Sequence, residues 1–200
     1  MQRSCKDGHD RMKALHITLL ITSLALAGHV CAFESSNVVP AIGSIEYAFT
    51  PGDDAAGLIV RTIDAARSHV LVQAFSFTHR GIADALIRAH RRGLDVQVIA
   101  DRDQTDSIDS AAMQSLAAAG MAVFADAEHS AAHNKVIVID HDTGQPALVT
   151  GSFNFSFAAQ NRNAENVLVL RGNPDLTRAF FANWQQHREH AVAIVRKPSR

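Results

Sequence analysis

Val70-Leu71-Val72-Gln73-Ala74-Phe75 is an apolar run interrupted only by Gln73, and the segments after it decide the fold. From Gly81 to Arg92 the apolar positions recur at helical spacing, and Gly93 ends the segment. Val96-Gln97-Val98-Ile99-Ala100 is a second run, and an Ala-rich helix from Ser107 to Ala119, stopped by Gly120, leads to a third at Met121–Phe124. Strands separated by helices predict parallel pairing through this half of the chain. Upstream, Ile45, Tyr47 and Phe49 alternate within a first strand from Gly43 to Phe49. Asp53-Asp54 can then start a helix carrying Leu58, Ile59, Ile63 and Ala66 on one side.

The second half has a different pattern. Lys135–Ile139 and Ala147–Thr150 are apolar strands joined by the turn-rich Asp142-Thr143-Gly144-Gln145, which predicts an antiparallel hairpin. Asn166–Leu170 reads as a further strand. Asn173-Pro174-Asp175 opens a last helix through about His187, with Leu176, Phe180 and Trp184 on one face. The expected fold is α/β, one domain, with a mixed sheet flanked by helices on both faces.

Length and composition fit a single domain behind a leader. Arg11 and Lys13 precede an apolar run from Ala14 to Ala27, and Val30-Cys31-Ala32 offers small residues for cleavage, so residues 1–32 are expected to be a signal peptide and 33–200 the functional domain. The run is short for a membrane anchor. Export across the inner membrane, with a periplasmic destination and no stable membrane association, follows as an expectation. Both cysteines, Cys5 and Cys31, fall in the leader, so the domain has no disulfide and must be held by its core. Losing the leader leaves 15 basic against 18 acidic residues, a formal charge of −3. That excludes a stoichiometric nucleic-acid coat and confines any polyanion binding to a local patch.

The chemistry concentrates in His133-Asn134-Lys135-Val136-Ile137-Val138-Ile139-Asp140 and in Gly151-Ser152-Phe153-Asn154-Phe155-Ser156. Alternate residues of an extended segment share a face, so His133 and Lys135 can enter one pocket while Val136 and Val138 point away. Ser152 and Asn154 pair in the same way. An imidazole nucleophile, a fixed positive charge and small polar donors are the groups that attack on a phosphodiester requires. Asp140, at a strand end before a turn, reads equally as a backbone cap.

Other candidates are weaker. Glu128-His129 with His133 is not a His-Glu-x-x-His pattern, so no metal or other cofactor is expected. Asp101-Arg102-Asp103 with Asp106 reads as a solvated loop and helix start. Arg88, Arg91 and Arg92 match a helix C-terminus, and Arg80, Arg102 and Arg162 lie near strand ends, where substrate contacts are made. Phe153, Phe155 and Phe157 read mainly as core, with one a candidate for stacking on a base.

Over most of the domain the chain resembles the phospholipase D superfamily, in particular its small bacterial endonucleases. Gln73-Ala74-Phe75-Ser76-Phe77-Thr78, Arg92-Gly93-Leu94-Asp95-Val96, His133-Asn134-Lys135, Thr150-Gly151-Ser152-Phe153-Asn154-Phe155 and Asn163-Ala164-Glu165-Asn166 carry the resemblance. It implies that His133 forms a phosphohistidine, that Lys135 and Asn154 hold phosphate oxygens with help from Ser152, and that Glu165 orients the His133 ring. Asp140 matches the family's motif Asp, in a supporting role. Family members with one motif copy dimerise about a two-fold axis, and no second His here is followed two residues on by Lys. The expected activity is metal-independent endonucleolytic hydrolysis of DNA, with RNA as a second substrate, at a site shared by a homodimer. The alternatives are a phospholipid phosphodiesterase and a non-catalytic nucleic-acid-binding module.

Overall fold

The run at 70–75 becomes the centre of the sheet. In the computed structural model, which describes residues 36–107 and 111–194, β2 (His69–Ala74) is buried at every position. It pairs in parallel with β3 (Asp95–Asp101), and β3 in parallel with β4 (Ala122–Asp126). On its other side β2 pairs antiparallel with β5 (Lys135–Ile139), which forms the expected hairpin with β6 (Ala147–Gly151). Next come β7 (Glu165–Arg171) and then β1 (Ser44–Thr50), both antiparallel to their neighbours. A short β8 (Val192–Ala193), which the sequence pattern does not announce, closes the far edge on β4. The order is β1-β7-β6-β5-β2-β3-β4-β8, a mixed sheet.

Helices cover both faces, as expected. α1 (Ala55–Asp64), α2 (Arg80–Arg91) and α4 (Ala111–Ala118) pack on one face against Val70, Val72, Val98, Ile137 and Val149. The long α6 (Pro174–His190) covers the other, where Trp184 is buried with Leu71, Ile99, Val136 and Val138. Trp184 Nε1 also donates to the Val72 carbonyl at 3.2 Å. Leu176 and Phe180 pack against the same cluster, so the predicted apolar stripe of this helix is the one used.

Helix starts follow the predicted capping chemistry. The Asp54 carboxylate accepts the Gly57 amide at 2.8 Å, and Asn173 Oδ1 accepts the Leu176 amide at 3.1 Å with Pro174 in the first turn. α2 begins one residue early because His79 caps it through Nδ1. The helix expected from Ser107 to Ala119 is described from Ala111 as α4, and a further short helix, α3 (Arg102–Ser107), lies before residues 108–110. The predicted leader at 1–32 lies outside the described residues. Among those described, no helix is long and apolar enough to cross a membrane.

Strand directions give the sheet a functional edge. The C-terminal ends of β1, β2, β3, β4 and β6 and the N-terminal ends of β5 and β7 lie together. Open α/β sheets bind ligands at that edge. Trp184→Ala, which removes both a large core side chain and its hydrogen bond, should lower unfolding free energy by about 3–5 kcal/mol in a denaturant titration.

Candidate active site

Antiparallel pairing places Lys135 opposite Ala74, so the chain enters β5 at the functional edge. The Phe75 amide donates to the Asn134 carbonyl at 2.8 Å, extending the ladder one step toward His133. Lys135 is only 8 % exposed. Its ammonium sits 3.0 Å from His133 Nδ1 and 2.8 Å from the His133 carbonyl oxygen. Phe75 forms the floor of this pair, its ring centre 4.4 Å from that of His133 and 4.9 Å from Lys135 Nζ. Burial pushes the Lys135 pKa down, and the negative charge of Glu165 partly offsets this. The ammonium can only donate, so His133 Nδ1 accepts here, and a neutral ring carries its proton on Nε2.

The second wall is the turn after β6. Gly151 has φ +149°, and a Cβ there would strike the Asn166 carbonyl oxygen. The Asn166 carbonyl takes the Ser152 and Phe153 amides, at 3.1 and 3.3 Å. On the other side the Phe155 carbonyl takes the Thr78 and His79 amides, each at 2.8 Å. Phe153 and Phe155 are buried, so two of the three phenylalanines are core as expected. Phe157, which opens the short α5 (Phe157–Asn161), is 60 % exposed, with the Arg162 guanidinium 5.9 Å from its ring centre. Held by these bonds, the turn presents Asn154, whose Oδ1 is buried without a hydrogen-bond partner. A buried amide oxygen without a partner is open to a hydrogen-bond donor.

Glu165 opens β7 at the same edge, but its hydrogen bonds differ from the expectation. Its carboxylate accepts Ser152 Oγ at 2.6 Å and Asn163 Nδ2 at 3.0 Å, and no hydrogen bond joins it to the His133 ring. Its carboxylate is bonded to Ser152, and its charge raises the Lys135 pKa. Ser152 Oγ in turn accepts from the Asn166 amide at 3.1 Å.

Asp140 is not brought to this site. It follows the other end of β5, seven residues from His133, which at about 3.3 Å per residue is roughly 23 Å away. Its carboxylate accepts the amides of Arg67, Ser68 and His69 at 2.9, 2.8 and 3.1 Å and so fixes the start of β2. The backbone there is left-handed, φ +52°, which Asp tolerates better than most side chains. A cavity of about 400 Å³ lies at this far edge, between Thr62, Arg67, Asp140, Pro146 and Arg171, away from His133.

The other candidates also resolve. Asp101 spends one oxygen on the Gln104 amide at 2.9 Å and the other on the Ala132 amide at 2.8 Å, so it anchors the loop before His133. Arg102 pairs with Asp103 at 3.0 Å, and the side chain of Asp106 lies outside the described residues. Arg88 binds Asp64 through two bonds, and Arg92 binds the Ile63 and Ala66 carbonyls, so both serve the α1–α2 contact. Arg80, Arg102 and Arg162 are exposed at the functional edge. Sequence reasoning missed Phe75 as a floor, and it missed that His129 has partners: Asp126, His187 and His190 lie around it.

A buried ammonium beside an exposed imidazole, at the sheet edge where the turn carrying Ser152 and Asn154 also lies, suits phosphoryl chemistry. Comparison with known proteins agrees. Residues 59–189 match the family described as "Cardiolipin synthase, PLD-like domain". A protein named "Phospholipase D" from Rickettsia felis is 33 % identical over 170 residues, covering 84 % of this chain and 82 % of the relative. Among solved structures, the phospholipase D family member Nuc from Salmonella typhimurium superposes with a TM-score of 0.73 at 30 % identity, over 78 % of this chain and 100 % of that one. NucT from Helicobacter pylori shares the fold, with a TM-score of 0.66 at 24 % identity over 76 % of this chain and 100 % of that one. The chain belongs to the phospholipase D superfamily and is a phosphodiesterase, a hydrolase.

Two outcomes test this geometry. Asp140→Ala strands three backbone donors and should cost about 3 kcal/mol of stability in a denaturant titration, while kcat per folded molecule holds. Glu165→Gln removes the charge that raises the Lys135 pKa, so the alkaline limb of kcat/KM should move to lower pH; an unmoved limb would contradict the coupling.

Proposed function

We propose that this phosphodiesterase is a metal-independent endonuclease that hydrolyses DNA, and RNA secondarily, with little sequence preference. The observation that carries the reading is the Lys135 ammonium, buried against His133 Nδ1 with no carboxylate bonded to it among the described residues. A phosphate diester supplies the anion this charge calls for. When a non-bridging oxygen draws the ammonium away, Nδ1 is free to carry the ring proton and Nε2 can attack phosphorus. The P–N bond forms as the P–O bond to the leaving sugar oxygen breaks. A second acid gives that oxygen a proton, then takes one from the water that hydrolyses the phosphohistidine. Lys135 and Asn154, through its Nδ2, would hold the phosphoryl oxygens, and Ser152 would assist on turning its hydroxyl proton from Glu165 to the phosphate.

The chain has one His-x-Lys pair, so the second acid–base group is assigned to His133 of a second copy in an isologous homodimer. Ile45, Tyr47 and Phe49, 60, 62 and 57 % exposed, form an apolar strip on edge strand β1, which runs to Thr50 opposite Glu165. A strip that reaches the site suits this contact. A polymer substrate is favoured over a lone headgroup by the exposed Arg80, Arg102 and Arg162 along the functional edge and by the open Phe157 ring, which can stack on a base. Export with removal of residues 1–32 completes the reading.

A second reading, phospholipid hydrolysis, is favoured by the Rickettsia relative's name. The test is plasmid cleavage in excess EDTA beside His133→Ala, with headgroup release from phospholipid vesicles measured in parallel. Cleavage that survives EDTA and falls at least about 1000-fold in the variant supports the nuclease. Headgroup release without DNA cleavage selects the lipid reading.

A further inference from the structure

Four side chains converge at the functional edge outside the phosphate pocket. Asp126 ends β4, and His129 follows in the loop that leads to His133. His187 and His190 lie one turn apart at the end of α6, which β8 fastens to β4. The Asp126 side chain is wholly buried. Its Oδ2 is 2.7 Å from His187 Nδ1 and 3.2 Å from His190 Nε2, and its Oδ1 is 3.5 Å from His129 Nδ1. One donor atom from each of the four lies within 4.8 Å of the others. Tetrahedral zinc with bonds of about 2.0–2.1 Å sets its ligand atoms about 3.3 Å apart, close to these spacings.

One further observation points to a bound ion rather than a closed hydrogen-bond cluster. His190 Nε2 is buried against the Asp126 carboxylate. Gln73, 3 % exposed, lines a small cavity with Asp126, Asn134 and His187, and neither its amide oxygen nor its nitrogen has a partner. Buried polar atoms are nearly always bonded, and an orphaned amide at this spot suits the outer shell of a metal site. By contrast, in the group His69, His141 and Asp142, His69 Nε2 already accepts the His141 amide at 2.7 Å.

We propose that Asp126, His129, His187 and His190 bind one Zn²⁺ ion that staples the end of α6 to the loop carrying His133. Three imidazoles and one carboxylate match zinc, whereas Mg²⁺ and Ca²⁺ take oxygen ligands. The only cysteines are Cys5 and Cys31, so no disulfide can tie this end of the domain, and the ion supplies the missing cross-link. It takes no part in the phosphoryl transfer. Asp101 holds Ala132 independently, so the loop stays in place without metal.

The experiment is titration of metal-free full-length protein with Co²⁺ and then Zn²⁺. The expected result is one equivalent of Co²⁺ giving the intense visible bands of a four-coordinate site, displacement of those bands by Zn²⁺, and a Tm that rises with Zn²⁺. His187→Gln should weaken binding by more than about 100-fold, the upper range for losing even an outer-shell partner, and abolish the rise in Tm. His129→Gln, on a half-exposed loop residue, gives the same readout if the helix variant fails to fold. Absence of stoichiometric binding, or binding and a Tm rise that persist in both variants, overturns the proposal. Cleavage in EDTA reports on the nuclease reading separately.

Discussion

The antiparallel ladder between β2 and β5 is the constraint on which the rest of the structure depends. β2 already has a parallel neighbour in β3, and a second parallel partner on its free side would carry Lys135 to the far edge of the sheet. Because β5 runs the other way, Lys135 lies opposite Ala74 and His133 beyond it, at the edge where β3, β4 and β6 also end. The buried β2 has no freedom to slip, since a shift of one residue would turn Val70 and Val72 out of one core and Leu71 out of the other. Register and chemistry are therefore fixed by the same hydrogen bonds.

The site built on that ladder is charged before substrate arrives. An ammonium at 8 % exposure costs free energy unless something shares its charge, and among the described residues its partners are a histidine nitrogen, a carbonyl oxygen and the Phe75 ring. Glu165, whose charge raises the Lys135 pKa, is bonded elsewhere, to Ser152 and Asn163. The arrangement keeps a positive charge ready without neutralising it. Electrostatic preorganisation of this kind favours an anion whose charge grows in the transition state.

Much of this was legible in the sequence. Helix and strand periodicity placed each central element, and the His-x-Lys spacing put two side chains on one face, where they meet at 3.0 Å. What local pattern could not show was long-range. Asp140 shares a motif with His133, yet a full strand lies between them, and counting residues along that strand would have separated them. The Glu165–Ser152 bond joins residues 13 apart across a turn whose shape depends on Gly151. Asp126 with His129, and His187 with His190, are each spaced by two residues. That repeated spacing was a readable signal, but only the β4–β8 pairing shows that the two halves meet.

The central claim is that His133 becomes covalently phosphorylated during turnover. The direct measurement is rapid quenching of the reaction with end-labelled DNA, followed by recovery of the protein under alkaline conditions. The account predicts label attached to protein during turnover, stable to base, labile to acid and absent from His133→Ala. Steady cleavage with no protein-bound label at any time point, or label that survives the substitution, would contradict it.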